Sequence, residues 1–283
     1  MRGGAYFAAS NGTEIYYSSE GAGGIPMLLI HGWTCDQNDW SFQIPFLLSL
    51  GFWVIAMDLR GHGHSLTTAN LTQFDPISMA NDAVALLNHL GVDGNNSTNK
   101  AIVAGHSLGG VLVNELALRH PHLIRGIVSV DSAAYMTPDT MQQITQALRA
   151  AGPGGAAVAA TDLWDAGGLL PKDAPVWVRP WQQRRAWAVE GRVVTDTFAQ
   201  LAEHLGPGGV EYLRRTRGTE GRTIPRLVTC AVDGSAEIER EAGLDARLDR
   251  VEVVPGGHFH HVLSPDRFNA LLKEWFTERE WIK

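Results

Sequence analysis

Short, continuous runs of apolar residues recur along this chain and indicate buried strands. Six of them suit strands that are covered on both faces, as in a parallel sheet: residues 27–30, 52–57, 101–104, 127–130, 227–232 and 251–254. Two earlier strand-like runs, residues 5–9 and 14–18, flank Asn11-Gly12, a dipeptide typical of hairpin turns. The pattern predicts an N-terminal antiparallel hairpin followed by a mostly parallel sheet.

Apolar residues at helical spacing separate these runs. Residues 81–90, 111–119 and 268–276 each place their apolar side chains on one helical face. The first of these helices is expected to stop at Gly91 and the second before Pro121. Strands that alternate with helices predict a doubly wound α/β sheet.

The alternation stops between residues 132 and 223, where no buried strand is evident. We interpret this region as a helical cap inserted into a core made of residues 1–131 and 224–283. Within it, the Gly/Ala-rich residues 152–160 are interpreted as a mobile linker. Four of the nine tryptophans fall in the cap: Trp164, Trp177, Trp181 and Trp187.

Composition restricts the classes of partner. A net charge of −7 disfavours nucleic acid, and no uncharged stretch reads as a membrane span. The first ten residues lack the apolar core of a signal peptide, so we expect a cytoplasmic protein with no membrane partner. The two cysteines, Cys35 and Cys230, form no disulfide framework. A homodimer is the expectation for an enzyme of this size.

The strongest chemical signal is Gly105-His106-Ser107-Leu108-Gly109-Gly110, which lies between a predicted strand and a predicted helix. This context is typical of a nucleophile elbow, a strained turn that raises a serine hydroxyl above the sheet. Ser107 is therefore the predicted nucleophile. The Leu108 amide, at the N-terminus of the helix, is a predicted oxyanion donor.

Two further motifs follow predicted strands. His31-Gly32-Trp33 follows residues 27–30, and the Trp33 amide is the second candidate oxyanion donor. His258 follows a Gly-Gly turn after the last strand, at the edge where α/β sheets place their sites. Its imidazole is the predicted base, in preference to His260 and His261. No residue spacing suggests a metal or nucleotide site, so no cofactor is expected.

Together with residues 58–65, Asp-Leu-Arg-Gly-His-Gly-His-Ser, these motifs resemble those of the α/β-hydrolase superfamily. They occur in the family's order, and the resemblance covers essentially the whole chain outside the cap. It implies an α/β-hydrolase fold and a catalytic triad of serine, histidine and an acid. It leaves the substrate open, because this fold hosts many reactions.

The acid of the triad is where the sequence departs from the common family pattern. That pattern places the acid three residues after a glycine, beyond the strand at residues 227–232. Here Ala231 replaces the glycine, and Gly234 stands at the acid's position. Asp131, at the end of the strand 127–130, and Asp233, one residue early, are the alternatives. We favour Asp131, because some subfamilies place their acid at that strand end.

Two such subfamilies are similar to this chain and imply different reactions. The chain resembles the mycotoxin (zearalenone-type) lactone hydrolases at residues 255–259 and 177–179. It resembles more weakly the cofactor-free ring-opening dioxygenases of 3-hydroxy-4-quinolones, at residues 31–33, Asp131 and residues 236–239. The first resemblance implies hydrolysis of an ester or lactone. The second implies that His258 and Asp131 deprotonate a heteroaromatic hydroxyl substrate. A non-catalytic ligand receptor on the same fold is the third hypothesis.

Aromatic residues in and near the cap favour an apolar pocket for a small ester or lactone. The residues expected to line it are Trp33, Tyr135, Trp177 and Trp181.

Overall fold

The computed structural model describes residues 4–9, 12–96, 99–217 and 223–282, so Asn11 of the predicted hairpin turn lies outside the described residues. Eight strands form one sheet in the order β1-β2-β4-β3-β5-β6-β7-β8. Their bounds are β1 Gly4–Ala8, β2 Glu14–Glu20, β3 Pro26–Ile30, β4 Trp53–Met57, β5 Ala101–His106, β6 Ile124–Val130, β7 Arg226–Cys230 and β8 Asp249–Val253. Strands β1, β2 and β4 pair antiparallel, and β3 to β8 pair parallel. The predicted fold class is confirmed.

Burial explains why the strand sequences read as continuous apolar runs. Every residue of β3, β5 and β7 is buried, because helices cover both faces of the parallel part of the sheet. Strand β8 lies at the sheet edge and is only half-buried along its length. Parallel strands end at the same sheet edge, so the residues that follow β3, β5, β6 and β8 are brought close together.

The helices fall into two groups. Those that pack on the sheet are α1 Gln43–Ser49, α2 Pro76–His89, α3 Leu108–Arg119, α8 Asp233–Glu241, α9 His260–Leu263 and α10 Pro265–Glu278. Between β6 and β7 the chain forms α4 Pro138–Ala166, α5 Val178–Ala188, α6 Gly191–Leu205 and α7 Gly209–Arg217. We use "cap" for α4 to α7 and the segments that connect them. None of the described helices is both long enough and apolar enough to cross a bilayer.

The linker predicted at residues 152–160 is wrong, because these residues continue α4. The helix is kinked at Gly152, whose φ of +66° and ψ of 174° are not helical. Pro153 then occupies the first turn of the second segment, where the missing N–H of proline costs nothing. The alanines that follow have high helix propensity, and Ala156 and Ala160 are fully buried in the core.

A buried carboxylate, Glu115 on α3, joins the core to the cap. Its Oε1 accepts hydrogen bonds from Nε2 of His204 on α6, at 2.9 Å, and from the hydroxyl of Tyr212 on α7, at 3.2 Å. Its Oε2 accepts from Nε of Arg119 at 2.8 Å. Burial raises the pKa of Glu115, but the bonds from His204 and Arg119 outweigh burial and leave the pKa below its ordinary value.

We expect Glu115→Gln to lower the free energy of unfolding by about 1–3 kcal/mol at neutral pH, because the amide cannot accept all of these bonds. Since the folded-state pKa is lowered, the carboxylate contributes stability above its unfolded pKa, and this contribution is lost as the pH falls through the folded value. The difference between wild type and variant should therefore shrink below about pH 4. Urea unfolding across this pH range measures it.

Glu203→Gln, on the exposed side of α6, is the matched control and should change stability little at any pH. A Glu115→Gln difference that stays constant on acidification would show that the charge of Glu115 contributes nothing.

Candidate active site

The turn between β5 and α3 is too tight for side chains at two of its glycines. A Cβ on Gly105 would lie 2.0 Å from the backbone oxygen of Gly109, and a Cβ on Gly109 would lie 2.4 Å from the backbone oxygen of Ile30. Ser107, at the apex, has φ +54° and ψ −109°. The Gly-x-Ser-x-Gly spacing thus holds Ser107 at the carboxyl end of the sheet, above the N-terminus of α3.

Backbone strain is concentrated around this turn. Four described non-glycine residues have positive φ: Thr34, Ser107, Asp131 and Glu280. Ser107 and Asp131 directly follow β5 and β6, and Thr34 lies in the loop after β3. Ser107 and Asp131 both border one cavity. Positive φ costs of order 1–3 kcal/mol per residue, which surrounding structure must offset. Strain of this kind is characteristic of functional sites.

A short hydrogen bond joins Asp131, which follows β6, to His258, which lies in a 3₁₀ turn after β8. The His258 Nδ1–H donates to Asp131 Oδ2 at 2.6 Å, and the Ala231 N–H donates to Asp131 Oδ1 at 2.8 Å. Burial raises the pKa of Asp131, but the hydrogen bond and charge of His258 outweigh burial, and the net pKa is lowered. Asp131 is therefore an ionised acceptor that fixes the imidazole tautomer with its proton on Nδ1.

Ser107 and His258 border the same cavity, but no hydrogen bond joins their side chains in the described part of the chain. Hydrogen bonds between catalytic groups often tighten only when a substrate binds. Because Asp131 holds the proton on Nδ1, the Nε2 of His258 is the atom available to accept a proton from a hydroxyl.

The two amides predicted as oxyanion donors flank Ser107. Leu108 is the first residue of α3, so its N–H has no acceptor within the helix. The backbone N–H of Trp33 forms no hydrogen bond to any residue that the structure describes. Gly32 beside it is held close to the elbow, since a Cβ there would lie 3.2 Å from Ser107 Cβ. Neither amide has an acceptor among the residues that the structure describes.

The alternative site residues lie elsewhere. Asp233 is exposed as the first residue of α8, and it does not border the cavity. His260 is buried, with Nε2 2.8 Å from the Thr229 hydroxyl, and burial lowers its pKa to about 4. His261 is also buried, and its pKa is lowered well below the ordinary value by burial. Of the three described histidines that follow β8, only His258 borders the cavity.

The cavity at this site has a volume of about 260 Å³ and is lined mainly by apolar side chains. Of the four residues predicted to line a substrate pocket, Trp33 and Tyr135 border this cavity, whereas Trp177 and Trp181 do not. Trp177 is 45 % exposed. The guanidinium carbon of Arg185 lies 3.7 Å from the centre of the Trp181 ring, so Trp181 packs on Arg185 instead. The cap and core supply other aromatic and aliphatic residues instead: Met136, Ile144, Leu163, Trp164, Phe198 and Phe259.

Sequence reasoning missed a buried polar cluster, two members of which, Cys35 and His106, line the cavity. Cys35, Asp39 and His106 bring three atoms of metal-ligand type within 4.8 Å of one another. The Asp39 carboxylate already receives the guanidinium of Arg185, with Nη1 2.6 Å from Oδ1. Arg185 lies 146 residues further along the chain, so no local motif could have revealed this pairing. We interpret the cluster as a hydrogen-bond network that connects the cap to the core.

Comparison with known proteins identifies relatives of this chain. The model of a family described as "Alpha/beta hydrolase family" matches residues 27–271. A non-heme haloperoxidase of Rhodococcus erythropolis is 38% identical over 115 residues, 41% of this chain and 39% of that protein. A bifunctional esterase/perhydrolase of Acinetobacter calcoaceticus is 35% identical over 118 residues, 41% of this chain and 40% of that protein. The matched segment thus spans about two fifths of these relatives.

Solved structures with the same fold cover nearly the whole chain. An esterase from Exiguobacterium antarcticum superposes with a TM-score of 0.76 at 19% identity, covering 97% of this chain and 99% of that one. An enol-lactonase from Burkholderia xenovorans LB400 superposes with a TM-score of 0.76 at 20% identity, covering 96% of this chain and 100% of that one. At such identities the likeness establishes the fold alone.

Proposed function

The protein belongs to the alpha/beta hydrolase family, and on that basis we propose that it hydrolyses a carboxylic ester or lactone of a neutral, apolar small molecule. The observation that carries the proposal is the bond of 2.6 Å between Asp131 and His258, at the cavity that Ser107 borders. This arrangement gives a serine at a strained elbow, a base with a fixed tautomer and an ionised acid.

In the proposed mechanism, Ser107 Oγ attacks the substrate carbonyl while His258 Nε2 accepts the hydroxyl proton. The amides of Trp33 and Leu108 donate hydrogen bonds to the oxyanion of the tetrahedral intermediate. His258 returns its proton to the leaving alkoxide, and an acyl group remains on Ser107. His258 then deprotonates a water molecule, which attacks the acyl carbon. The bond from that carbon to Ser107 Oγ breaks, the acid is released, and His258 returns the proton to Ser107 Oγ. Asp131 stays ionised throughout and stabilises the imidazolium.

The lining of the cavity supports a neutral substrate. Among the described residues that line it, the acidic and basic side chains are Asp131, His106 and His258, and no lysine or arginine is present to pair with an anionic substrate. Thr140, Ser132 and Ser235 add neutral polar groups. A carboxylate buried here without a cation would lose its hydration and gain no ion pair.

A lactone is the cyclic member of the same bond class, and opening it requires the same steps. The proposal of a lactone rests on the resemblance of residues 255–259 and 177–179 to the zearalenone-type lactone hydrolases. A cofactor-free dioxygenase is the second candidate. It is favoured by one observation: within the part of the chain that the structure describes, the His258 side chain is bonded to Asp131 but not to Ser107.

We expect Ser107→Ala to reduce hydrolysis of p-nitrophenyl butyrate by about 10³-fold or more, because no other group can form the acyl-enzyme. The assay is run under air and under nitrogen, with circular dichroism to show that the variant is folded. Wild-type ester turnover that is independent of oxygen supports the proposal.

Near-normal esterase activity in Ser107→Ala would remove Ser107 as the nucleophile. Oxygen consumption with a hydroxyquinolone, retained in Ser107→Ala, would favour the dioxygenase. Saturable ligand binding by wild type without any turnover would favour a receptor.

We expect Asp131→Asn to reduce kcat by about 10³- to 10⁴-fold, because an amide can stabilise the wrong imidazole tautomer. Asp233→Asn is the matched control, since it makes the same change at an exposed position and should leave kcat unchanged. Steady-state kinetics on one ester compares the two. Greater damage from Asp233→Asn would assign the acid to the position after β7.

We expect selectivity for uncharged acyl groups. The kcat/KM for p-nitrophenyl pentanoate should exceed that for the p-nitrophenyl ester of succinate, which carries a free carboxylate, by about tenfold or more. The methyl ester of that succinate restores neutrality at similar size and should recover most of the loss. Equal rates for the charged and neutral esters would contradict a buried apolar acyl pocket.

A further inference from the structure

The backbone of His258 is held on both sides of its side chain. Its N–H donates to the carbonyl oxygen of Leu169 at 3.2 Å, and its own carbonyl oxygen lies 3.1 Å from Nε2 of His106. Leu169 belongs to the cap, in the segment between α4 and α5. A Cβ on Gly257 would lie 3.1 Å from the same Leu169 oxygen, so the turn before His258 is packed directly against the cap.

The second contact also leads to the cap, by way of two buried side chains. Nδ1 of His106 lies 3.1 Å from Oδ2 of Asp39, and Oδ1 of Asp39 accepts from Nη1 of Arg185 at 2.6 Å. Arg185 lies on α5, and its guanidinium stacks on Trp181 and also reaches Asp36 at 3.3 Å. Asp39 and His106 are fully buried and Arg185 is 8% exposed, so solvent screens these charges little.

Arg185 fixes the carboxylate that contacts His106. Burial raises the pKa of Asp39, but the charge of Arg185, together with the hydrogen bond from His106, outweighs burial and holds this pKa well below its usual range. The ionised Asp39 is therefore an acceptor, and its Oδ2 lies 3.1 Å from Nδ1 of His106. By holding Asp39, Arg185 fixes the position of the His106 ring, whose Nε2 faces the His258 carbonyl.

We propose that Arg185 is a positioning residue, which docks the cap on Asp39 and thereby keeps the His106 ring in place against the backbone of His258. The proposal rests on the proposed function in one respect, since it treats His258 as the catalytic base. Because the cap also accepts the His258 N–H at Leu169, the orientation of the base depends on how the cap packs against the core.

The test compares two substitutions at Arg185 with a neighbour on the same helix. Arg185→Met removes the charge, Arg185→Lys retains it without the planar fork, and Arg184→Met is the control. Arg184 is exposed, and its one side-chain bond is to the Pro180 carbonyl at 3.4 Å. The substrate is p-nitrophenyl acetate, whose small acyl group depends little on the cap lining.

We expect Arg185→Met to lower kcat per titrated active site by about 10- to 100-fold, because a misplaced base loses alignment with Ser107. KM should change by less than about threefold, since the acyl pocket is not altered. Arg185→Lys should recover part of kcat, and Arg184→Met should equal wild type. A lower melting temperature with kcat per active site unchanged would overturn the proposal, because Arg185 would then be structural only.

A double-mutant cycle with His106→Gln tests the route. Glutamine can still donate from its Nε2 toward the His258 carbonyl, but it has no second ring nitrogen facing Asp39. If Arg185 acts through His106, Arg185→Met should cost much less in kcat in the His106→Gln background. Additive losses would show that Arg185 does not act through His106.

Hydrogen exchange of the peptide covering residues 254–263 gives a readout that needs no turnover. Arg185→Met should increase exchange there, and Arg184→Met should not. If the wild type hydrolyses no ester, the proposed function fails, while faster exchange in Arg185→Met still establishes the link from cap to His258. Unchanged exchange in Arg185→Met overturns the link even if the wild type is an esterase.

Discussion

The hydrogen bond between Asp131 and His258 is the interaction on which the site depends. Its partners are 127 residues apart in sequence, and they meet because β6 and β8 end at the same edge of a parallel sheet. A charge-assisted bond of this kind contributes about 1.5–3 kcal/mol. It also selects one tautomer of His258, and this selection makes Nε2 the acceptor that the proposed chemistry needs. Loss of His258 would leave Oδ2 of the buried Asp131 without this partner.

Low polarity around this bond increases its effect. The cavity is lined mostly by apolar side chains, so the few charges in it are weakly screened. The same apolar lining is the basis of the proposed preference for a neutral substrate. Weak screening of charges at the site and the proposed selectivity therefore have one physical origin, the apolar side chains that line the cavity.

The cap contributes more than a cover. Glu115 on α3 binds His204 and Tyr212 of the cap, and Asp39 in the core binds Arg185 of the cap. One contact is made by α3, the helix that follows Ser107, and the other by Asp39 in the segment that follows β3. Buried ion pairs add little net stability compared with apolar packing, but breaking one leaves an uncompensated charge. They therefore hold the cap in one seated position.

Local sequence determined the parts of this protein that depend on local rules. Continuous apolar runs identified the six parallel strands, and Gly105 and Gly109 identified the elbow, because only glycine fits where backbones approach to within contact. Residues 152–160 were misjudged, since a Gly-Pro-Gly-Gly sequence reads as a break although it can continue as a kinked helix. The sequence also left open whether Asp131 or Asp233 is the acid that pairs with His258. The register of β6 against β7 and the turn after β8 put Asp131, rather than Asp233, against His258. The pairing of Arg185 with Asp39, and the replacement of Trp177 and Trp181 by Trp164 and Phe198 in the cavity, were decided only by the tertiary structure. Contacts between a cap helix and a core loop depend on how two separate surfaces dock, and no periodicity or motif within either segment encodes that docking.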